Sequence, residues 1–416
     1  MMDSKLCELL ASLFLLERVR SQSAPNLQRE LPMTVRSPAG PLRGLGPAAR
    51  WCLTAGVVEH PLPVPGIESF RNESDLIFRE GLAPVALQAL DSRLTSPNDP
   101  LWTCFRDVTR VGNFRCFAVD VLGATLLSTL SKAGIPTVVI KGPAVARLHP
   151  KGWPRHYSDI DILVPKQNFL RAVLCSKGEG FEYSERTVPQ WRWFDLVCRE
   201  GLNLHSASGG NIDIHHHVPP WALSSKFEVN DVINRSIPWE LCGIPINIAS
   251  PEDLLLVSTL HVLNDLWKGK SGLSSWRDVI VVMKLLGASK SAMAFDGAGL
   301  GWLFELVAKA LSVAVPEIGI VASDTEARIP VTARWRMAAL GWGDDSALSR
   351  HRLSWAIRLP TPNALAYLAG TAFPAPKYIR ERHGSLRNYW RSAWNETIAT
   401  RHGSDYRMTT VQDKTQ

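Results

Sequence analysis

The chain has 416 residues, of which 45% are hydrophobic and 20% are charged. This length and composition suit a folded protein of two or three domains and exclude a chain that is disordered throughout. The formal net charge of +7 favours anionic partners such as nucleotides. Seven cysteines, an odd number without a Cys-x-x-Cys pair, fit the reduced thiols of a cytoplasmic protein better than a disulfide framework.

The first third of the chain is predicted to be helical on either side of a linker. Residues 1–20 are interpreted as an amphipathic helix rather than a secretory signal, since acidic residues precede the apolar run. Residues 21–66 are rich in proline, glycine and serine, which indicates a flexible linker within an N-terminal region of residues 1–67. Helical patterns dominate residues 68–133, which lead into the first strand.

A strand followed by a tight turn opens the predicted α/β core of residues 134–248. Residues 137–140 form a β-branched apolar run between proline and glycine, which predicts a short buried strand. Gly142 follows this strand, and Pro143 suits the first position of a helix. Backbone N–H groups at such a turn can bind phosphate, and Lys141 adds a positive charge there.

A pair of acids, Asp159 and Asp161, lies on the next predicted strand. Side chains alternate along a strand, so both carboxylates point to one face while Ile160 and Ile162 point to the other. Two like charges side by side are unfavourable unless a positive group lies between them. Hard oxygen ligands suit Mg²⁺ or Mn²⁺, so the pair predicts a metal site.

A β-hairpin is predicted further along the chain. Residues 202–205 and 212–215 alternate in polarity and are separated by a turn-rich stretch. Asp213 is flanked by isoleucines, so its side chain points away from the side on which they are buried. If this strand neighbours that of Asp159 and Asp161, the three carboxylates form one group.

Three consecutive histidines, His215, His216 and His217, suggest a zinc site at first sight. Structural zinc needs four suitably spaced ligands, and consecutive strand residues point to opposite faces, so a zinc site is the less favoured interpretation. His215 lies on the same face as Asp213. We expect it to border the site as a hydrogen-bonding neighbour.

The second half of the chain is predicted to be a helical domain of residues 249–395 with a disordered tail of residues 396–416. A serine cap, a proline and two acids form a strong helix start at its beginning. His261 in this helix is interpreted as a packed histidine. No transmembrane helix is expected, because prolines interrupt the uncharged residues 359–376.

Two segments combine aromatic with basic residues. Trp191-Arg192-Trp193 could stack on a base, although tryptophan in an alternating strand more often belongs to the packing. Residues 377–391 are basic with interleaved aromatics and could contact nucleic acid or an anionic acceptor. A solvated terminal helix is the simpler interpretation of that run.

The order of these features resembles the DNA polymerase β-like nucleotidyltransferase superfamily. Within it, the chain resembles the bacterial family of uncharacterised nucleotidyltransferases over residues 110–390. The motifs that carry the resemblance are Lys141-Gly142, Arg155, Asp159-Ile160-Asp161-Ile162-Leu163-Val164 and Asp213-Ile214-His215. Looser matches are His261, Trp276-Arg277-Asp278 and Phe373-Pro374.

The resemblance implies an α/β (α+β) fold, with a small mixed β-sheet flanked by N-terminal and C-terminal helical regions. It implies transfer of a nucleoside monophosphate from a nucleoside triphosphate, ATP among the candidates, to an acceptor hydroxyl with release of pyrophosphate. Two Mg²⁺ or Mn²⁺ ions would assist this transfer. The implied catalytic and metal-binding residues are Asp159, Asp161 and Asp213, the last also a candidate general base. The implied nucleotide-binding residues are Lys141, Gly142, Ala144, Arg155 and Ser158.

The acceptor is not identified by any motif. A small molecule, a peptide or a protein is expected before nucleic acid, and no membrane partner is expected. Gly142-Pro143 departs from the Gly-Ser or Gly-Gly that is usual in the superfamily, and proline lacks an N–H donor for phosphate. This departure motivates an alternative, a catalytically silent nucleotide-binding or regulatory module. A metal-dependent phosphatase or nuclease is a third possibility.

Overall fold

The computed structural model describes residues 42, 44–58, 62–91, 99–183, 188–207, 210–219, 221–224, 227–267, 272–320 and 361–398. The helix predicted for residues 1–20 lies outside this part of the chain. The last described helix ends at Ile398, so most of the predicted tail also lies outside it.

A mixed sheet forms the centre of the described structure. Its seven strands are β1 Val138–Val139, β2 Asp159–Leu163, β3 Phe181–Tyr183, β4 Gly201–Ser206, β5 Asn211–His215, β6 Ile237–Leu241 and β7 Ile244–Ile248. Their order across the sheet is β3-β4-β5-β2-β1-β7-β6. β2 pairs with β5 and β1 with β7 in parallel, and the other neighbours are antiparallel. The predicted fold class and the predicted β4–β5 hairpin are confirmed.

Helices from the N-terminal and C-terminal parts of the chain flank the sheet. Those up to β4 are α1 Pro47–Thr54, α2 Ile67–Asn72, α3 Ser74–Arg79, α4 Ala83–Asp91, α5 Pro100–Lys132, α6 Pro143–Ala146, α7 Phe169–Gly178 and α8 Arg192–Cys198. Those after β5 are α9 Trp221–Ser224, α10 Val229–Asn234, α11 Pro251–Trp267, α12 Leu273–Gly297, α13 Gly301–Ala314, α14 Thr361–Ala372, α15 Pro376–His383 and α16 Leu386–Ile398. Short 3₁₀ turns occur at Lys166–Asn168 and Pro316–Ile318.

The long helix α5 packs against the strand that carries the acid pair. Gly123 lies where α5 crosses β2, and a β-carbon there would collide with Ile160. Leu126 and Leu130 are buried on the same helix. By length and hydropathy alone α5 could also cross a membrane, which was not predicted from the sequence. Of its most apolar stretch, 33% is buried. The core helix of a folded protein can pass the same test of length and hydropathy, but such a helix is mostly buried.

Two stretches differ from their predicted structure. α1 lies within the predicted linker of residues 21–66, yet its Trp51 and Leu53 are buried in the core. A proline can start a helix as well as interrupt one, so composition alone was ambiguous here. Trp191-Arg192-Trp193 leads into α8 rather than a strand, because a helical turn lets Phe194 and Cys198 pack together. The indole N–H of Trp191 donates to the carbonyl of Phe373 at 2.9 Å.

Arg277 ties the N-terminal helices to α12. Its side chain is buried and donates to the carbonyls of Cys52 at 2.8 Å, Leu53 at 3.1 Å and Ala55 at 2.8 Å. These carbonyls lie at the C-terminal end of α1, where a helix lacks internal donors and favours a positive charge. Burial lowers the pKa of Arg277 to about 10, which still leaves it protonated at neutral pH.

Replacing Arg277 with methionine is expected to destabilise the fold. The change leaves three carbonyls at the end of α1 without their charged donor, and should lower the free energy of unfolding by roughly 3–5 kcal/mol. Urea unfolding followed by circular dichroism measures this loss. Arg171→Met, at an exposed position on α7, is the matched control and should change stability little. Equal stability of the two variants would contradict the role of Arg277.

Candidate metal centre

Asp161 and Asp213 lie side by side at the centre of the sheet. The parallel register of β2 with β5 pairs Asp161 with Asp213 and Leu163 with His215. The neighbouring isoleucines of both strands are buried on the other face, as their alternation predicted. The imidazole Nε2 of His215 lies 3.1 Å from Oδ1 of Asp161. The strand of Asp213 neighbours that of Asp159 and Asp161, which is the arrangement that the predicted trio of carboxylates requires.

These three residues form a group suited to a metal ion. One ligand atom from each of Asp161, Asp213 and His215 lies within 4.8 Å of the others. Oδ2 of Asp161 is buried and has no hydrogen-bond partner in the described part of the chain. A buried carboxylate oxygen without a partner is unfavourable, and a cation would satisfy it. Two carboxylates and an imidazole are common ligands of divalent metals, so the residues fit such an ion.

Asp159 is not a member of this three-residue group. It lies at the first position of β2, and its register partner on β5 is Asn211 rather than an acid. Burial and the nearby Asp161 raise the pKa of Asp159. Its metal-binding role stays a prediction.

The neighbouring strand β4 supplies two residues that sequence reasoning missed. The side-chain amide of Asn203 donates to Oδ1 of Asp213, its register partner. Gly201 is the register partner of His215. The predicted hairpin indicates that Asp213 and His215 have partners on the other strand, but only the register decides which residues these are, and Gly201 lies outside the predicted residues 202–205.

The pKa values of the two carboxylates in the site are shifted in opposite directions. Burial alone would raise the pKa of Asp161, but Lys141 and the His215 hydrogen bond outweigh it and hold that pKa well below its usual range. Burial and the Asp161 charge raise the pKa of Asp213 to about 6. In the folded chain the ionised form of Asp161 is therefore stabilised, whereas the ionised form of Asp213 is destabilised.

Lys141 lies at the end of β1, where it contacts His261 of helix α11. Its Nζ donates to Nε2 of His261 at 2.6 Å, and that nitrogen lies 3.3 Å from Oδ2 of Asp265. The interpretation of His261 as a packed histidine missed this contact, since nothing in the local sequence points to Lys141. His261 also contributes to the low pKa of Asp161, after burial, Lys141 and His215.

The predicted phosphate turn has fewer free donors than the resemblance implies. Gly142 has φ of +59°, and a β-carbon there would lie 2.7 Å from the carbonyl oxygen of Asp159, so only glycine fits. The amide of Ala144 donates to the carbonyl of Lys141 at 3.2 Å. Pro143 has no N–H. Ser158 is exposed beside Asp159.

Comparison with known proteins agrees with the motifs. A family model described as uncharacterised nucleotidyltransferase matches residues 74–295, which is more than half of the chain. The chain belongs to this family. The predicted resemblance to nucleotidyltransferases is thereby confirmed.

A solved structure shows a weaker likeness to this chain. It is the crystal structure of an antigenic nucleotidyltransferase-like protein from Paracoccidioides brasiliensis, 15% identical, with a TM-score of 0.35. The match covers 50% of this chain and 96% of the other. A TM-score this low supports no inference about the site. No curated protein matches the chain significantly.

Arg155, for which nucleotide binding stays a prediction, forms a buried ion pair. Its guanidinium donates to both carboxylate oxygens of Asp278 on α12, at 2.6 and 2.7 Å. His149 lies 2.9 Å from the same carboxylate. Burial alone would raise the pKa of Asp278, but Arg155 and His149 hold it well below its usual range. Arg155 therefore fixes the segment before β2 to the C-terminal helices.

Replacing Asp278 with asparagine should destabilise the fold in a pH-dependent way. At neutral pH the free energy of unfolding should fall by about 3–5 kcal/mol, because Arg155 remains buried without its counter-charge. A carboxyl with a depressed folded pKa contributes stability above its unfolded pKa of about 4 and loses it as the pH falls further. Urea unfolding at neutral pH and at about pH 3 should show the loss shrinking. The exposed Asp231→Asn on α10 is the control, and a loss independent of pH would contradict this explanation.

Replacing Asp213 with asparagine should stabilise the metal-free fold. The raised pKa means that ionised Asp213 opposes folding, and its removal should add about 1–3 kcal/mol above pH 6. Below about pH 4 the carboxyl is protonated in both states and the gain disappears. Thermal melts across this pH range, in a chelating buffer, measure the effect. A variant that is less stable than the wild type at alkaline pH would refute the assignment of strain to Asp213.

Proposed function

We propose that the chain transfers a nucleoside monophosphate from a nucleoside triphosphate to an acceptor hydroxyl, with release of pyrophosphate, at Asp161 and Asp213. The observation that carries this proposal is the in-register pair of carboxylates with the buried, unpartnered Oδ2 of Asp161. Membership of the nucleotidyltransferase family gives the reaction class. A silent fold has no need to keep two repelling acids side by side.

Asp161, Asp213 and His215 would hold a divalent ion, and a second ion with Asp159 is expected from the superfamily. A bound ion of this kind supplies neutralisation of charge on the reacting phosphate oxygens. Lys141 places a further positive charge beside Asp161. Asp213 is also the candidate general base that would accept the proton of the acceptor hydroxyl, as the superfamily resemblance implies. Asn203 holds the Asp213 carboxylate for that role.

A nucleotide-binding module without transferase activity is the second candidate. It is favoured by the turn after β1, where Pro143 lacks an N–H and the Ala144 amide donates its hydrogen bond to the carbonyl of Lys141. A chain that binds nucleoside triphosphate without releasing pyrophosphate would support this candidate. Release of inorganic phosphate, or strand cleavage, would instead indicate a phosphatase or nuclease.

Incubation with labelled nucleoside triphosphates, divalent metal and a cell extract tests the proposal. Mass spectrometry of the labelled products identifies the acceptor, for which small molecules, peptides and proteins are the first candidates. Asp161→Asn and Asp213→Asn should each reduce transfer and pyrophosphate release on the order of 100-fold or more, since each removes charge stabilisation at the reacting phosphate. Asp231→Asn should have no effect.

Folding is checked separately for each variant. Asp161→Asn removes the negative charge that Lys141 and His215 surround, so a modest loss of stability is expected there. Asp213→Asn is expected to remain folded. Metal-dependent transfer that persists in both variants would overturn the proposed function.

A further inference from the structure

His215 occupies the position of a third ligand beside the two carboxylates. It is 8% exposed, and Nε2 lies 3.1 Å from Oδ1 of Asp161. Nδ1 is buried and has no hydrogen-bond partner among the residues that the structure describes. The predicted hydrogen-bonding contact of His215 is present, and a nitrogen of its ring also lies within the 4.8 Å group.

Gly201 provides the space that the His215 ring occupies. A β-carbon at Gly201 would lie 2.6 Å from Nδ1 of His215 and 2.5 Å from the carbonyl oxygen of Ile214. Real side chains do not approach so closely, so any other residue would move the ring or the strand. Glycine inside a strand often marks such a close approach. Here it leaves the ring beside β4, with Nε2 toward Asp161.

The ligand set differs from a site made of three carboxylates. Asp213 is held through Oδ1 by Asn203, and Asp161 has the unpartnered Oδ2. Asp159 is not in the group, and the third member is an imidazole nitrogen. Mg²⁺ is bound in proteins chiefly by oxygen, whereas imidazole suits first-row transition metals.

We propose that this is a transition-metal site, in which Asp161, Asp213 and His215 bind Mn²⁺ or a related ion in preference to Mg²⁺. Gly201 is the positioning residue that makes room for the nitrogen ligand. The inference rests on the metal site of the proposed function but specifies the class of ion. It is tested by metal binding, without nucleotide or acceptor.

Mn²⁺ is the probe, added to the full chain and followed by calorimetry and by electron paramagnetic resonance. The wild type should show hyperfine coupling of bound Mn²⁺ to one imidazole nitrogen. His215→Asp keeps an oxygen ligand but removes the nitrogen, so the coupling should disappear. The preference for Mn²⁺ over Mg²⁺ should fall by about 10-fold or more. His156→Asn is the matched control, because His156 bonds to Asn113 away from the site.

Gly201→Ala should weaken Mn²⁺ binding and remove the nitrogen coupling if it folds. If it does not fold, His215→Asp alone decides. Bound Mn²⁺ without nitrogen coupling in the wild type, or an unchanged metal preference in His215→Asp, would overturn the inference. Pyrophosphate release supported by Mg²⁺ without nitrogen coupling to Mn²⁺ would leave the proposed function standing and refute this inference. Nitrogen-coupled Mn²⁺ with no pyrophosphate release in the presence of nucleoside triphosphates and cell extract would leave this inference standing and refute the proposed function.

Discussion

The parallel pairing of β2 with β5 is the constraint on which the site depends. Its register places Asp161 beside Asp213 because paired residues of neighbouring strands share a face of the sheet. The isoleucines of both strands are buried on the opposite face, where Gly123 lets α5 approach Ile160 closely. A shift by one residue would bring the acids into this core, so apolar packing fixes the position of the charged groups.

Basic side chains from three separate elements make this pair of acids tolerable. Lys141 comes from the end of β1, His261 from α11 and His215 from β5. Together they outweigh the burial of Asp161 and lower its pKa, while Asp213 retains a raised one. The strain that remains on Asp213 is a property that a bound cation would relieve, which links the stability of the fold to the occupancy of the site.

The helix α12 holds the parts of the molecule in place around the strands. Two consecutive residues of α12, Arg277 and Asp278, contact two different parts of the chain. Arg277 caps α1 by binding three carbonyls, and Asp278 binds Arg155 and His149 in the segment that precedes β2. The position of β2 therefore depends on the C-terminal helices, although the acids themselves belong to the sheet.

Short-range patterns in the sequence by themselves determined the Asp-x-Asp strand, the hairpin, the glycine turn and the family, because alternation and turn residues act over a few positions. Only the tertiary structure decided the partners of the charged side chains. Lys141 and His261 are 120 positions apart, and Arg155 and Asp278 are 123 apart. No local periodicity encodes such contacts. The candidate ligand group likewise joins Asp161 to Asp213 and His215 because strand pairing brings together residues that are distant in the sequence.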